Sequence, residues 1–295
     1  MNKKKLIAYI RLERPQFSIM GFLAACAGMM AAYKGVPEIS SILGVGFLFY
    51  VIQNVAAPTN DYFDREIDKY ARPDAPIPSG DLSPEEAKKD VILHYIFVPL
   101  LIIIIANTLP VETTPLMIVA FFGLALTAIY SVPPIRMRKR GILKNITVGI
   151  ALPTAFLGGW VAIRGWSVST EFLVLVSVYF FFQISETLLA DIHDMIGEKR
   201  VGCRTLPVRI GIKNSFNVSS FMGILSALII PVPIIMGWFN RYYTVLGLFI
   251  MFWIIFLLLK YRINFHPEKG RVYHEKLIIG APLYTIAIIL GSVCV

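Results

Sequence analysis

The chain has 295 residues, of which 56% are apolar and only 16% charged, with 28 Lys and Arg against 19 Asp and Glu for a net charge of +9. A soluble domain ordinarily carries about 25% charged residues, so this composition excludes both a soluble globule and a disordered chain. A greasy, basic chain is either a nucleic-acid binder or an integral membrane protein, and the positions of the basic residues separate the two.

The chain opens on a charged arm, Met1 to Pro15, that lacks the short apolar core and small-residue cleavage site of a signal peptide. Leu6, Ile7 and Ile10 share one helical face, so the arm is expected to lie along a membrane interface. Nine continuous apolar runs follow, at 16–33, 39–59, 91–109, 115–133, 145–163, 170–190, 215–236, 242–259 and 275–294. Each is near the ~20 residues that cross a hydrocarbon core as a helix. None alternates as a membrane strand would. Pro99, Pro153, Pro231 and Pro233 inside these runs are tolerated where neighbouring helices cover the freed carbonyls. The expected fold class is all-α: a polytopic membrane protein of nine transmembrane helices, one domain over residues 1–295.

The arm and the loops after runs 2, 4, 6 and 8 hold 25 of the 28 basic residues; the opposite side has only Lys34, Arg164 and Arg241. This alternation follows the positive-inside rule and supports nine spans independently of hydropathy. It places the N-terminus in the cytoplasm and the C-terminus outside. Glu38, Glu112 and Glu171 are the only acids on the outer side, so the whole +9 excess lies inside. Nucleic acid is not needed to explain it. Cys26, Cys203 and Cys294 show no zinc or disulfide spacing, and His94, His193, His266 and His274 are scattered as ordinary surface or interfacial groups are.

The acids carry the chemical signal. Run 2 ends in Asn60-Asp61-Tyr62-Phe63-Asp64-Arg65-Glu66-Ile67-Asp68. If the helix continues, Asn60, Asp64 and Asp68 form one stripe at i, i+4, i+8, bordered by Asp61. Run 6 ends in Asp191-Ile192-His193-Asp194-Met195-Ile196-Gly197-Glu198, with Asp191, Asp194 and Glu198 again on one face. Like charges at this spacing repel, and carboxylates at a helix C-terminus oppose its dipole. A multivalent cation among them resolves both conflicts. An all-oxygen donor set suits Mg²⁺ or Ca²⁺ rather than zinc.

Basic segments follow or separate the clusters: Arg72-Pro73 with Pro76 to Gly80, then Tyr130-Ser131-Val132-Pro133-Pro134-Ile135-Arg136 running on to Lys139, then Lys199 and Arg204. Metal-holding carboxylates beside Arg and Lys are what a diphosphate needs. Polar residues inside the spans are the other lead. Gln53 lies seven residues before Asn60 and Gln183 eleven before Asp194, each nearly in phase with its cluster. Tyr130 and Asn145 flank the basic loop, and Glu186 sits five residues before Asp191.

On these residues the sequence resembles the UbiA superfamily of intramembrane prenyltransferases. The family's N-D-x-x-D-x-x-x-D motif is present as Asn60, Asp61, Asp64 and Asp68. Its Tyr-Ser-x-Pro-Pro-x-Arg signature is Tyr130 to Arg136, and its D-x-x-D-x-x-G-D motif is Asp191, Asp194 and Gly197, with Glu198 in place of the last Asp. Ala190 stands where many relatives carry Lys. The Pro-Ile-Pro-Ser-Gly tail after Arg72 resembles archaeal digeranylgeranylglyceryl phosphate synthases and chlorophyll-synthase-like enzymes.

The resemblance implies helices around a central cavity and an apolar tunnel for the prenyl tail. It implies a polyprenyl diphosphate whose head sits at the two motifs through Mg²⁺, and a second small-molecule acceptor, lipid or aromatic. In this reading Asn60, Asp64 and Asp68 form one metal site, with Asp61 contributing, and Asp191, Asp194 and Glu198 form the other. Arg72, Arg136, Lys139, Lys199 and Arg204 hold diphosphate; Gln53, Tyr130, Asn145, Gln183 and Glu186 face the cavity or acceptor. The alternatives are phosphoribosyl transfer to a lipid phosphate and a non-enzymatic ion-coupled transporter.

Overall fold

The computed structural model describes residues 3–200, 202–266 and 269–293; of Ala71, Ile196, Gly197, Glu198 and Arg200 it describes the backbone. All regular secondary structure among the described residues is helical, with no strand. Helix α1 (Lys3–Glu13) is the basic arm. Nine helical segments long and apolar enough to cross a membrane follow among the described residues. They are built from α2 (Pro15–Tyr33), α3 (Ile39–Ala71), α4 (Pro84–Thr108), α5 (Thr113–Ser131), α6 (Ile142–Arg164), α7 (Thr170–Arg200), α9 (Ile212–Ile229) with α10 (Val232–Ile235), α11 (Arg241–Ile263), and α12 (Gly270–Leu277) with α13 (Gly280–Ser292). A short helix, α8 (Leu206–Ile210), precedes α9, and a 3₁₀ turn, Met137–Lys139, precedes α6.

Local chemistry sets several boundaries. Pro15 and Pro84 occupy first-turn positions, where a missing N–H costs nothing. Ser83 and Glu86 close a reciprocal capping box at the start of α4. At 33 residues, α3 is about 50 Å long, well beyond the ~30 Å of a hydrocarbon core. Its last turns therefore project past the bilayer and carry the first acidic motif with them. The 31-residue α7 does the same for the second motif.

Helices neighbour one another in a circuit: α2 meets α3, α3 meets α5, and the chain of contacts passes through α6, α7, α9, α11 and α13 back to α2. Packing is tightest between α2 and α6. A Cβ at Gly28 would lie 2.0 Å from the Phe156 carbonyl oxygen, and one at Gly159 1.9 Å from that of Ala25. The two glycines thus let the backbones touch, as small residues do between membrane helices. This contact lies at the far end of both helices from the acidic motifs. Phe156, Trp160, Phe172 and Tyr179 fill the core beside it, with ring centroids 5.4–6.4 Å apart.

A candidate diphosphate site at the mouth of the bundle

Helix α3 runs unbroken through Asn60, Asp61, Asp64 and Asp68, so the expected stripe exists. Asp61, Asp64 and Asp68 are all buried, with residual exposures of 2, 1 and 1%. Buried carboxylates need partners, and guanidinium groups supply them. Arg136 Nη2 lies 2.5 Å from Asp64 Oδ1 and also donates to the Phe63 carbonyl at 2.8 Å. Arg138 pairs with the other Asp64 oxygen and donates to Asn60 Oδ1 at 2.9 Å. The Asn60 amide donates to Asp64 Oδ2 at 2.8 Å. Arg72, one turn beyond the motif, pairs with Asp68 and with Asp61 Oδ1 at 2.7 Å.

In the second motif Asp191 is buried between two donors of α6. Lys144 Nζ lies 2.5 Å from Oδ1 and Asn145 Nδ2 lies 3.0 Å from Oδ2. Asn145 also reaches Thr187. Asp194 and His193 are exposed. The side chain of Glu198 lies outside the described residues.

One stretch of ten residues, 136–145, therefore touches both motifs. It leaves α5 through the Pro133-Pro134 turn, and Arg136 adopts a left-handed backbone with φ 40°. Such a conformation is uncommon away from glycine and marks sites where surrounding structure holds the chain. Burial pushes the Arg136 guanidinium below its ordinary value, and the group stays cationic.

Below the first motif a cavity of about 170 Å³ opens between α3, α5 and α6. Its walls are mostly apolar, among them Phe49, Ile52, Leu126 and Val148, with Gln53, Thr127, Tyr130, Thr147 and Thr154 as its polar points. Gln53 and Tyr130 thus reach the cavity. Asn145 turns instead to the second motif. Gln183 is half-buried on α7 and does not line the cavity, and Glu186 turns to His274, 2.7 Å away.

Of the basic residues expected to hold diphosphate, Arg72 and Arg136 bond motif carboxylates. Lys199 and Arg204 are exposed and Lys139 is half-buried; none bonds a motif carboxylate among the described residues. Arg138, Lys144 and Arg14 do, although by sequence position they count only as loop charge. Arg14 lies 2.5 Å from Asp61. His274, read as an ordinary interfacial group, is the partner of a buried carboxylate. The adjacency of Arg138 to the Tyr-Ser-x-Pro-Pro-x-Arg signature and of Lys144 to Asn145 were the available signals.

The donors fit a hard divalent cation. Every motif side chain offers oxygen, and Asp61 Oδ2 and Asn145 Oδ1 are sealed from solvent without a hydrogen-bond partner.

Comparison with known proteins agrees in fold and family. The sequence pattern of the UbiA prenyltransferase family matches residues 21–277. A digeranylgeranylglyceryl phosphate synthase of Pyrococcus horikoshii is 29% identical over 230 residues, 78% of either chain. Among solved structures, one of a digeranylgeranylglyceryl phosphate synthase superposes with a TM-score of 0.75 at 23% identity, covering 99% of both chains. A UbiA homolog from Archaeoglobus fulgidus bound to DMAPP and Mg²⁺ superposes with a TM-score of 0.71 at 17% identity, covering 95% of this chain and 98% of the other.

Proposed function

The chain belongs to the UbiA prenyltransferase family, and from that premise we propose that it moves a polyprenyl group from an allylic diphosphate to the hydroxyl of a prenylated glyceryl phosphate, at the cytoplasmic mouth of the bundle. It is an integral membrane prenyltransferase. The acceptor class follows relatives named for making digeranylgeranylglyceryl phosphate. The cytoplasmic placement follows the 25 basic residues gathered on that side.

The observation that carries the reading is the 136–145 segment. Its Arg136 and Arg138 engage the first motif while its Lys144 and Asn145 engage the second. It thereby brings cationic forks and two sets of oxygen donors to one mouth above an apolar cavity. Asn60, Asp64 and Asp68 would hold one Mg²⁺, and Asp191 and Asp194 another. When bound, the metal supplies charge that stabilises the departing diphosphate. Arg72, Arg136 and Arg138 grip diphosphate oxygens in the bidentate manner guanidinium allows. Gln53 and Tyr130 orient the reacting end where the cavity meets the mouth. The apolar walls take the first isoprene units and keep water from the allylic carbon, which would otherwise be hydrolysed. The allylic C–O bond breaks with its electron pair on diphosphate, and the acceptor oxygen forms the new C–O bond as it gives up its proton.

The test is direct. Purified protein, Mg²⁺ and geranylgeranyl diphosphate are incubated with a prenylglyceryl phosphate, 4-hydroxybenzoate, a naphthoate or a chlorophyllide, and the products are identified by mass. A prenylated glyceryl phosphate is expected. Product from an aromatic acceptor alone would reassign the acceptor, and no pyrophosphate release with any of them would remove the reading.

A further inference from the structure

Helix α1 and the residue that follows it, Arg14, have no part in the reaction as drawn above, yet both are fastened to the site. The inner face of α1 packs Ala8 and Leu12 against Ile77, Leu82 and Ala87. Lys4 and Arg11 pair with Asp81 at 3.0 and 3.3 Å, and Arg11 also donates to the Asp74 carbonyl. Most of these contacts go to the loop that begins with Arg72. Helix α1 is strapped across that loop.

At the end of α1 the helix breaks on Arg14, with φ 47° and ψ 57°, directly before Pro15. Among the described residues only Arg14, Lys34 and Arg136 are non-glycine residues in this left-handed region. Two of the three put a guanidinium on a first-motif carboxylate: Arg136 on Asp64, and Arg14 on Asp61, each at 2.5 Å. The backbone beside Arg14 is pinned as well. Asn54, buried on α3 two turns before Asp61, donates to the Glu13 carbonyl at 2.9 Å. Strain held in place by its surroundings clusters at functional positions.

Asp61 Oδ1 receives both Arg14 and Arg72, at 2.5 and 2.7 Å. Two positive charges thus share one carboxylate oxygen, although Asp68 also answers Arg72. The Nη1 groups of both arginines make no bond among the described residues, so each guanidinium keeps donors to offer. A surplus of fixed cationic donors suits a multiply charged anion.

We propose that Arg14 is a positioning residue for the diphosphate, and that Asp61 Oδ1 serves as the post on which Arg14 and Arg72 are set. The α1 strap keeps the two arginines in register, facing Arg136 and Arg138 across the motif. This rests on the diphosphate site proposed above.

The experiment compares wild type, Arg14→Ala, Arg14→Lys, Arg72→Ala, the Arg14→Ala/Arg72→Ala double variant and Leu12→Ala. It measures kcat, KM for geranylgeranyl diphosphate, inhibition by inorganic pyrophosphate, Mg²⁺ half-saturation and melting temperature. Arg14→Ala raises KM and the pyrophosphate inhibition constant about tenfold or more and leaves kcat within a few-fold. Mg²⁺ half-saturation stays unchanged, and Arg14→Lys falls between. The double variant loses less than the product of the two single losses, because both groups use one oxygen. Leu12→Ala loosens α1 and lowers the melting temperature, and its rise in KM stays well below that of Arg14→Ala. If Arg14→Ala does not fold, Arg14→Lys with its shorter reach carries the same comparison. Unchanged KM and pyrophosphate inhibition in a folded Arg14 variant overturns the proposal. So does an equal shift in Leu12→Ala, or a shift in Mg²⁺ dependence in place of diphosphate binding. A wild type that neither turns over nor binds pyrophosphate fails at the underlying site, and the role of Arg14 falls with it.

Discussion

Arg136 reaches 2.5 Å from Asp64 across a gap of 72 residues in sequence, and its second bond, to the Phe63 carbonyl, locks the guanidinium plane against α3. Asp64 is 1% exposed and takes Arg138 on its other oxygen, so both of its oxygens face cations. Replacing it with Asn removes the charge and keeps the shape. Asp64→Asn and Asp194→Asn should each lower kcat/KM on the order of a hundredfold or more, the scale on which fixed charge stabilises a departing anion. Steady-state assays in Mg²⁺ with labelled prenyl diphosphate decide this, and near-normal turnover in either variant would sink the two-motif assignment.

Lys144 and Asp191 make a buried pair between α6 and α7, with side chains 11% and 2% exposed. Removing one member of such a pair leaves an uncompensated charge, at a cost of about 3–5 kcal/mol. Lys144→Met should therefore lower the melting temperature and also impair turnover. The double variant Lys144→Met/Asp191→Asn should regain much of the stability and none of the activity. Recovery of activity in the double variant would show the pair to be structural alone.

Gln53 lines the cavity about two turns below Asn60, in a wall whose other members are mainly apolar. Gln53→Leu suits that environment and should leave folded yield unchanged. It should nonetheless lower kcat/KM at least several-fold, because the polar contact at the reacting end is lost. Kinetics equal to wild type would place Gln53 outside the reaction. Tyr130→Phe, which keeps the ring in the same wall, is the companion measurement.

The nine spans and both acidic motifs were legible because each follows from a rule that acts locally. Apolar runs of bilayer length set the spans, and i, i+4, i+8 spacing sets the stripe. Gln53 could be found because it is in helical phase with Asn60. Which basic residues bond the motif carboxylates was not legible, for a related reason. All the basic loops carry similar numbers of Lys and Arg to fix topology, so charge alone cannot tell Arg138 from Lys139. The backbone decides: Arg136 turns left-handed, the 3₁₀ turn follows, and Arg138 swings to Asp64 while Lys139 does not. Arg14 was hidden for the same reason, since its contact depends on a helix break and not on spacing. Lys144 was hidden by the expectation that charge stays in loops, whereas it sits inside the first turn of α6.

Glu13 ends α1 beside Asp90 and His94 of α4, with His94 Nε2 3.5 Å from its carboxylate. Burial, reinforced by the adjacent Asp90 carboxylate, pushes its carboxyl from the usual 4.5 up to about 8. An acid raised in this way holds its proton in the folded chain over a range where the unfolded chain has released it. Stability is then full below about pH 4.5, falls as pH rises towards about 8, and levels off above that value. The melting temperature of detergent-solubilised protein should therefore decline across this window. Glu13→Gln should flatten the decline, because a neutral amide has no proton to release. The Asn54 anchor survives the change, since it bonds the Glu13 backbone carbonyl and not the side chain. Turnover of Glu13→Gln at low pH should for that reason match wild type. An identical slope in both proteins would assign the pH dependence to a group other than Glu13.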